Sequence, residues 1–154
     1  MVAKLLDSFS PEFISKHIFV PGGAFRKYHE FRDEGEKNRF FFILNRNPQK
    51  DDVIVLVTAS TKIKKLKQQY RDRPEVLVTI GPREYEPLPV LSIVNCEAAR
   101  AELKSNIQQA IDAQKIEYLR PLPAEILRKL CDAIAKCKVI PPEDKRLVLG
   151  EENI

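Results

Sequence analysis

Polar side chains stand at the ends of two strongly apolar segments, and their chemistry suits an anionic ligand. Arg39 opens the segment 39–45, and Thr58 and Ser60 lie where the segment beginning at residue 53 ends. A guanidinium offers a planar fork of N–H donors, and hydroxyl groups add further donors, so together they suit a phosphate group. The alternative is that Arg39 is a solvated cation at a strand end and that residues 58–61 form an ordinary turn.

The segments that carry these side chains are predicted to be paired strands. Residues 39–45 and 53–58 are almost entirely β-branched, aromatic or leucine, and each is too short for a pair of helices. The connection between them is rich in Asn, Pro and Asp, which favour a turn. Pairing as a hairpin would bring Arg39 and Thr58 to one rim of a rigid sheet.

Three further segments have strand character, at 24–31, 75–80 and 90–95. Five strands with short connections fit a small, strongly bent antiparallel sheet, and we expect an SH3-like barrel. The composition then favours helices, most clearly at 124–136, where apolar residues recur at three- and four-residue spacing. The predicted fold class is therefore α+β, with C-terminal helices packed on the barrel.

The chain has 154 residues and 44% apolar content, enough to bury a core without the help of disulfide bonds. We predict one domain over 1–154, with the barrel at 20–100 and the helical part at 101–150. No stretch reaches the ~18 apolar residues that cross a bilayer, and the N-terminus lacks the pattern of a secretion signal. We expect a cytoplasmic protein that does not contact the membrane.

Cysteine and histidine usage argues against a metal site. The three cysteines, Cys96, Cys131 and Cys137, fit neither a disulfide framework nor a zinc spacing, and the sequence has two histidines. We expect reduced, packed cysteines and no metal.

The segment 62–73 is the most polarised part of the chain. It has six basic residues and one acidic residue, a net charge of +5, against +4 for the whole chain. Apolar residues within it recur at helical spacing, so Lys64 and Lys65 are expected to face water and attract a polyanion. Tyr70 offers a ring on which a base can stack. The alternative is a solvated basic face with Tyr70 packed inward.

Four segments, in this order, resemble the PemK/MazF family of toxin endoribonucleases. The Pro-Gly pair at 21–22 stands where the family has a glycine turn, and 39–44 resembles its Arg-Pro-apolar strand. Residues 55–60 resemble a strand that ends in Thr-Ser or Thr-Ala. Residues 91–100 are similar to a strand that ends in Cys, an acidic residue and an arginine three further on. The family's fold is a small SH3-like barrel with a C-terminal helix.

The resemblance implies a function and a site. Arg39 and Thr58 would bind and polarise the scissile phosphate of single-stranded RNA, and the neighbouring ribose 2′-hydroxyl would be the nucleophile. The product would be a cyclic phosphate, and neither a metal nor another cofactor would be needed. Glu97 stands where some members carry an acidic proton acceptor. The resemblance also implies a homodimer and a cognate antitoxin protein laid over the Arg39/Thr58 rim.

The sequence departs from the family pattern at the second cation. Asn95 stands where active members often have another arginine, and Phe40 replaces the usual proline. Losing one cation from an anionic transition state costs ~2 to 4 kcal/mol unless another group replaces it. The catalytic residues are predicted to be Arg39, Thr58 and Glu97. The predicted RNA-binding residues, of which Lys62 and His29 are the possible replacements for the cation, are His29, Ser60, Lys62, Lys64, Lys65, Tyr70 and Asn95.

Two other functions fit the same sequence. The first is a nucleic-acid-binding barrel without catalysis that uses the basic segment 62–73, and its affinity would fall steeply with salt. The second is a protein-interaction module that presents the apolar face of the helix at 124–136. That module requires the helix face to remain uncovered.

Overall fold

The computed structural model describes residues 9–31 and 35–151, and the side chains of 28–31 and 35–38 lie outside this description. Seven strands and five α-helices form in the described part. The strands are β1 (Ala24–Phe31), β2 (Gly35–Ile43), β3 (Val53–Ser60), β4 (Leu77–Ile80), β5 (Ser92–Asn95), β6 (Arg100–Leu103) and β7 (Ile116–Leu119). The helices are α1 (Pro11–Ile18), α2 (Ile63–Gln69), α3 (Lys104–Asp112), α4 (Ala124–Lys136) and α5 (Pro142–Leu149).

Strand β3 is the centre of an antiparallel sheet. The strand order is β4-β5-β3-β2-β1-β7, and β6 also pairs with β3. One edge of β3 pairs with β2, while the other edge pairs with β6 near its start and β5 near its end. The α+β class is confirmed. The sheet differs from the predicted barrel because it stays open between β4 and β7 among the described strands, and because β6 and β7 add strands beyond the predicted five.

Alternating residues along β2 and β3 enter two separate cores. Phe42 and Val57 pack in a core that also contains residues of α4 and α5. Phe41 and Leu56 pack in a second core with residues of α1 and α3. Because helices cover both faces of the sheet here, neither strand needs a polar face. This explains why residues 40–44 and 53–57 are all apolar.

Helix α4 confirms the predicted helix at 124–136 and packs inward. Its residues Ile126, Leu130 and Ile134 are buried in the first core. The apolar face that a protein-interaction module would present is therefore already covered, which argues against that function. In residues 9–31 and 35–151, no helix combines the length and the apolar character needed to cross a membrane.

The side chain of Asn45 fixes the hairpin between β2 and β3. Asn45 is fully buried. Its Oδ1 accepts a hydrogen bond from the Val55 amide at 2.7 Å, and its Nδ2 donates to the Val53 carbonyl at 2.9 Å and to Asp51 Oδ2 at 2.8 Å. These bonds tie the end of one strand to the start of the next, and so help to set the strand register on which the site depends.

Candidate functional site

A cleft with a volume of about 460 Å³ opens on the sheet face that carries the second core. Its walls come from β2, β3, α2 and the connection between β5 and β6. The lining residues are Arg39, Phe41, Leu56, Thr58, Ser60, Leu66, Asn95, Ala98 and Arg100.

Strand register explains why Arg39 and the hydroxyls share this cleft. Phe41 lies directly opposite Thr58 in the β2–β3 pair. Side chains alternate between faces along a strand, so Arg39, two residues before Phe41, shares its face, as Ser60 shares that of Thr58. The structure therefore brings Arg39, Thr58 and Ser60 together, as the hairpin prediction requires.

Asn95 lines the same cleft and is held by the turn that follows it. A short 3₁₀ helix, Cys96–Ala98, interrupts the chain between β5 and β6. Oδ1 of Asn95 accepts a hydrogen bond from the Glu97 amide at 3.1 Å. The turn thus fixes the Asn95 side chain at the cleft wall.

Glu97 itself is engaged elsewhere and does not belong to the lining of the cleft. Arg73 donates from Nε to Oε2 at 2.9 Å and from Nη2 to Oε1 at 2.8 Å, while 12% of the Glu97 side chain is exposed. Hydrogen bonding to Arg73 lowers the pKa of the Glu97 carboxyl. The carboxylate is therefore ionised at neutral pH but weakly basic, and the role of proton acceptor stays a prediction.

Arg100 provides a second cation that was not among the predicted site residues. It is the first residue of β6, lies opposite Leu56 of β3, and its guanidinium carbon is 5.7 Å from the centre of the Phe41 ring. Such a contact is within the range of a cation–π interaction. The arginine of the motif at 91–100 was visible in the sequence, but its place in the cleft depends on β6, which was not predicted.

Lys62 lies in a second cleft of about 350 Å³ that shares Arg39 and Ser60 with the first. Arg26 and Val90 also line this second cleft. Nε of Arg26 donates to Oε1 of Glu117 at 2.8 Å, so the two form an ion pair at its edge. Lys62 therefore extends the positive charge of Arg39 from the first cleft towards the start of α2.

The remaining predicted RNA-binding residues differ in their surroundings. Lys64 and Lys65 are exposed on α2, the helix whose Leu66 reaches the cleft. Tyr70 is half-buried against the first core, and the Arg73 guanidinium carbon lies 4.6 Å from its ring centre. This contact makes the Tyr70 ring less available for base stacking. The side chain of His29 lies outside the described residues.

The cysteine thiols of the chain are poor nucleophiles at neutral pH. Cys96 and Cys137 are buried, Cys131 is half-buried, and all three thiols are free. Burial raises the pKa of both Cys131 and Cys137 to about 11, so these thiols are protonated at neutral pH. In the part of the chain that the structure describes, no three His, Cys, Asp or Glu side chains are grouped so that they could hold a metal ion.

Comparisons with known proteins identify the fold. No protein-family model and no curated protein matches the sequence. A chain from the MazE–MazF complex of Deinococcus radiodurans matches with a TM-score of 0.50 and 12% identity over 77% of this chain and 94% of that one. A chain from a mycobacterial endoribonuclease in complex with its cognate antitoxin matches with a TM-score of 0.48 and 18% identity over 79% and 96%, respectively. The chain has a PemK/MazF-like fold.

Proposed function

We propose that the chain is a MazF-like toxin that cleaves single-stranded RNA in the cleft lined by Arg39. The main support is that two arginines and two hydroxyl residues line the same open cleft. These residues are Arg39, Arg100, Thr58 and Ser60. Arginine forks and hydroxyl donors on a rigid sheet suit a phosphodiester. The MazF-like fold is consistent with this function.

In the proposed reaction, the phosphate binds between Arg39 and Arg100, and the hydroxyl of Thr58 donates to a phosphate oxygen. The ribose 2′-oxygen attacks the adjacent phosphorus as its proton passes to solvent. The P–O5′ bond breaks, and the departing 5′-oxygen takes a proton from solvent. A 2′,3′-cyclic phosphate and a free 5′-hydroxyl result. The arginines stabilise the charge that grows on the phosphate oxygens, and each such donor contributes roughly 2.7 to 4 kcal/mol.

Glu97 acts in this proposal as a positioning residue. Its carboxylate is held by Arg73, and its backbone amide donates to Asn95 in the cleft wall. The Arg73–Glu97 pair therefore anchors the turn that carries Asn95. A direct role as proton acceptor would require the carboxylate to reach the cleft, whose lining does not include it.

The RNA strand is proposed to leave the cleft along α2. Lys62 lines the adjoining cleft, and Lys64 and Lys65 are exposed on the helix. Exposed lysines beside a phosphate site attract the backbone without reading its sequence. His29 remains a proposed RNA-binding residue on the strength of the sequence alone.

An antitoxin protein is the proposed partner, and the second cleft suits part of it. The cleft combines the charges of Arg39 and Lys62 with Val90, a residue that is 50% exposed. An acidic peptide with apolar side chains would complement both features and would cover Arg39. We also propose, from the family resemblance, that the toxin is a homodimer that acts in the cytoplasm.

Purified protein incubated with single-stranded RNA in EDTA tests the proposal. We expect cleavage to 2′,3′-cyclic phosphate ends, detected by mass spectrometry, and no cleavage of the same oligonucleotide made entirely with 2′-deoxyribose. The deoxy control lacks the nucleophile but keeps every phosphate. Intact RNA across varied sequences, or equal cleavage of the deoxy oligonucleotide, would contradict the proposed chemistry.

A nucleic-acid-binding protein without catalysis is the second candidate, favoured by the exposed lysines of α2. It predicts binding that weakens steeply with salt and RNA that stays intact. Reversing charge with Lys64→Glu and Lys65→Glu would then flatten the salt dependence. Cleavage by the wild type separates the two candidates.

A further inference from the structure

A smaller cavity continues the first cleft beyond Arg100. Its volume is about 90 Å³, and it shares Phe41, Leu56 and Arg100 with the cleft. That volume corresponds to roughly three water molecules at ~30 Å³ each. The cavity can therefore admit the edge of a single base whose phosphate lies in the cleft, but it is too small for a whole nucleotide.

Aromatic and aliphatic side chains form much of the lining of this cavity. The rings of Phe25 and Phe41 are stacked, with centroids 5.3 Å apart and planes 17° from parallel, and both side chains are buried. Ile107 and Ala110 of α3 also line the cavity. Flat, apolar surfaces of this kind suit the face or edge of a nucleobase.

Side chains that donate hydrogen bonds and side chains that accept them both line this cavity. Glu102 lies two residues after Arg100 on β6, so the two side chains share one face of the sheet. Nδ2 of Asn106 donates to Oε1 of Glu102 at 2.8 Å and orients the carboxylate. Lys27 lines the same cavity and lies opposite Arg39 in the β1–β2 register. An acceptor carboxylate and a donor ammonium therefore face one small space.

We propose that this cavity recognises a guanine base next to the bound phosphate, an inference that rests on the proposed function. Guanine presents N1–H and the 2-amino group side by side, which matches the two oxygens of the Glu102 carboxylate. Its O6 is an acceptor for Lys27. Adenine and cytosine place a ring nitrogen acceptor beside their amino group, and uracil flanks its single N–H with two carbonyls, so each would set an acceptor against the carboxylate.

Fluorescence anisotropy with labelled 2′-fluoro oligonucleotides, which lack the nucleophile, tests recognition apart from cleavage. The probes are a uridine heptamer and its variants with one guanosine, adenosine or cytidine at each successive position. We expect the best guanosine heptamer to bind about 10- to 100-fold more tightly than the uridine heptamer. Replacing that guanosine with inosine, which lacks the 2-amino group, should weaken binding about tenfold.

The variant Glu102→Gln should no longer distinguish guanosine from inosine. Glu86→Gln, at an exposed position outside the cavity, is the matched control and should keep the preference. The inosine comparison in the wild type does not depend on the folding of any variant.

The outcomes separate this inference from the proposed function. If RNA binding depends on Arg39 but adenosine, cytidine or uridine equals guanosine at every position, the guanine site is excluded and the proposed function stands. Retention of the guanosine preference by Glu102→Gln would also exclude it. If no heptamer binds, the RNA-binding function fails, and the guanine site fails with it.

Discussion

Arg73 donates to both carboxylate oxygens of Glu97, at 2.9 Å and 2.8 Å, across 24 positions of sequence. The pair joins the chain after α2 to the turn after β5, and that turn carries Asn95 of the cleft. The sequence did not predict this contact, which connects the segment after the basic helix to the candidate site.

This pair predicts an acid-sensitive contribution to stability. Arg73 lowers the pKa of Glu97 below its ordinary value of 4.5, so the unfolded chain binds a proton more readily than the folded one. The contribution is present at neutral pH and is lost as the pH falls below 4.5 through the folded-state pKa. We expect wild type to be more stable than Glu97→Gln at pH 7, and the difference to shrink in acid.

Urea unfolding at a series of pH values measures this difference, and Glu86→Gln, at an exposed position, serves as the control. A gap between wild type and Glu97→Gln that stays constant from pH 7 to acid would show that the carboxylate is not stabilised by Arg73.

Arg100 is predicted to contribute directly to phosphate binding. Arg100→Ala should lower kcat/KM for RNA cleavage by about 10² to 10³, the loss typical of one donor to a developing oxyanion. Arg100→Lys should recover part of the activity, because it keeps the charge but loses the planar fork. Cleavage kinetics on one oligonucleotide measure both, with Arg83→Ala, an exposed arginine outside the cleft, as control. Full activity in Arg100→Ala would remove this residue from the site.

Asn45 is predicted to be the most sensitive polar residue of the β2–β3 hairpin. Asn45→Ala would leave the Val55 amide and the Val53 carbonyl without their side-chain partner in a buried setting. We expect the free energy of unfolding to fall by about 2 to 4 kcal/mol. Chemical denaturation checks this, and Asn47→Ala, at an exposed position of the same turn, should change stability little. A loss no larger than that of the control would contradict the role of Asn45.

The cysteines are predicted to react unequally. At neutral pH, iodoacetamide should label the half-buried Cys131 first, because Cys96 and Cys137 are buried. Labelling of Cys131 should itself be slow, since burial raises its pKa to about 11. Mass spectrometry of timed samples gives the order, and urea should bring all three to a common rate. Equal labelling of the three thiols without urea would argue against this packing.

The sequence predicted those strands and helices whose local residue pattern matches their burial in the fold. Residues 40–43 of β2 and 53–57 of β3 are all apolar because two cores cover them, and α4 shows clear helical periodicity. Strands β6 and β7 were missed because each has four residues of mixed polarity, RAEL and IEYL. They become strands by pairing with β3 and β1, a tertiary effect that no local pattern reports.

The site was predictable to the extent that it depends on one hairpin. Arg39, Thr58 and Ser60 follow from the pairing of β2 with β3. Arg100 could not be placed, because its position depends on the 3₁₀ turn that lets β5 and β6 pair with the same edge of β3. The role of Glu97 could not be assigned from the sequence either, because only the fold brings Arg73 into contact with it.

The rate of RNA cleavage by Arg39→Ala tests the central claim most directly, namely that this cleft carries out phosphodiester cleavage. Single-turnover rates in EDTA should be compared for wild type, Arg39→Ala and the control Arg83→Ala, after urea unfolding has shown equal stability. The proposed function predicts that Arg39→Ala loses about 10² to 10³ in rate or more, while Arg83→Ala matches the wild type. Equal rates for all three proteins would contradict it.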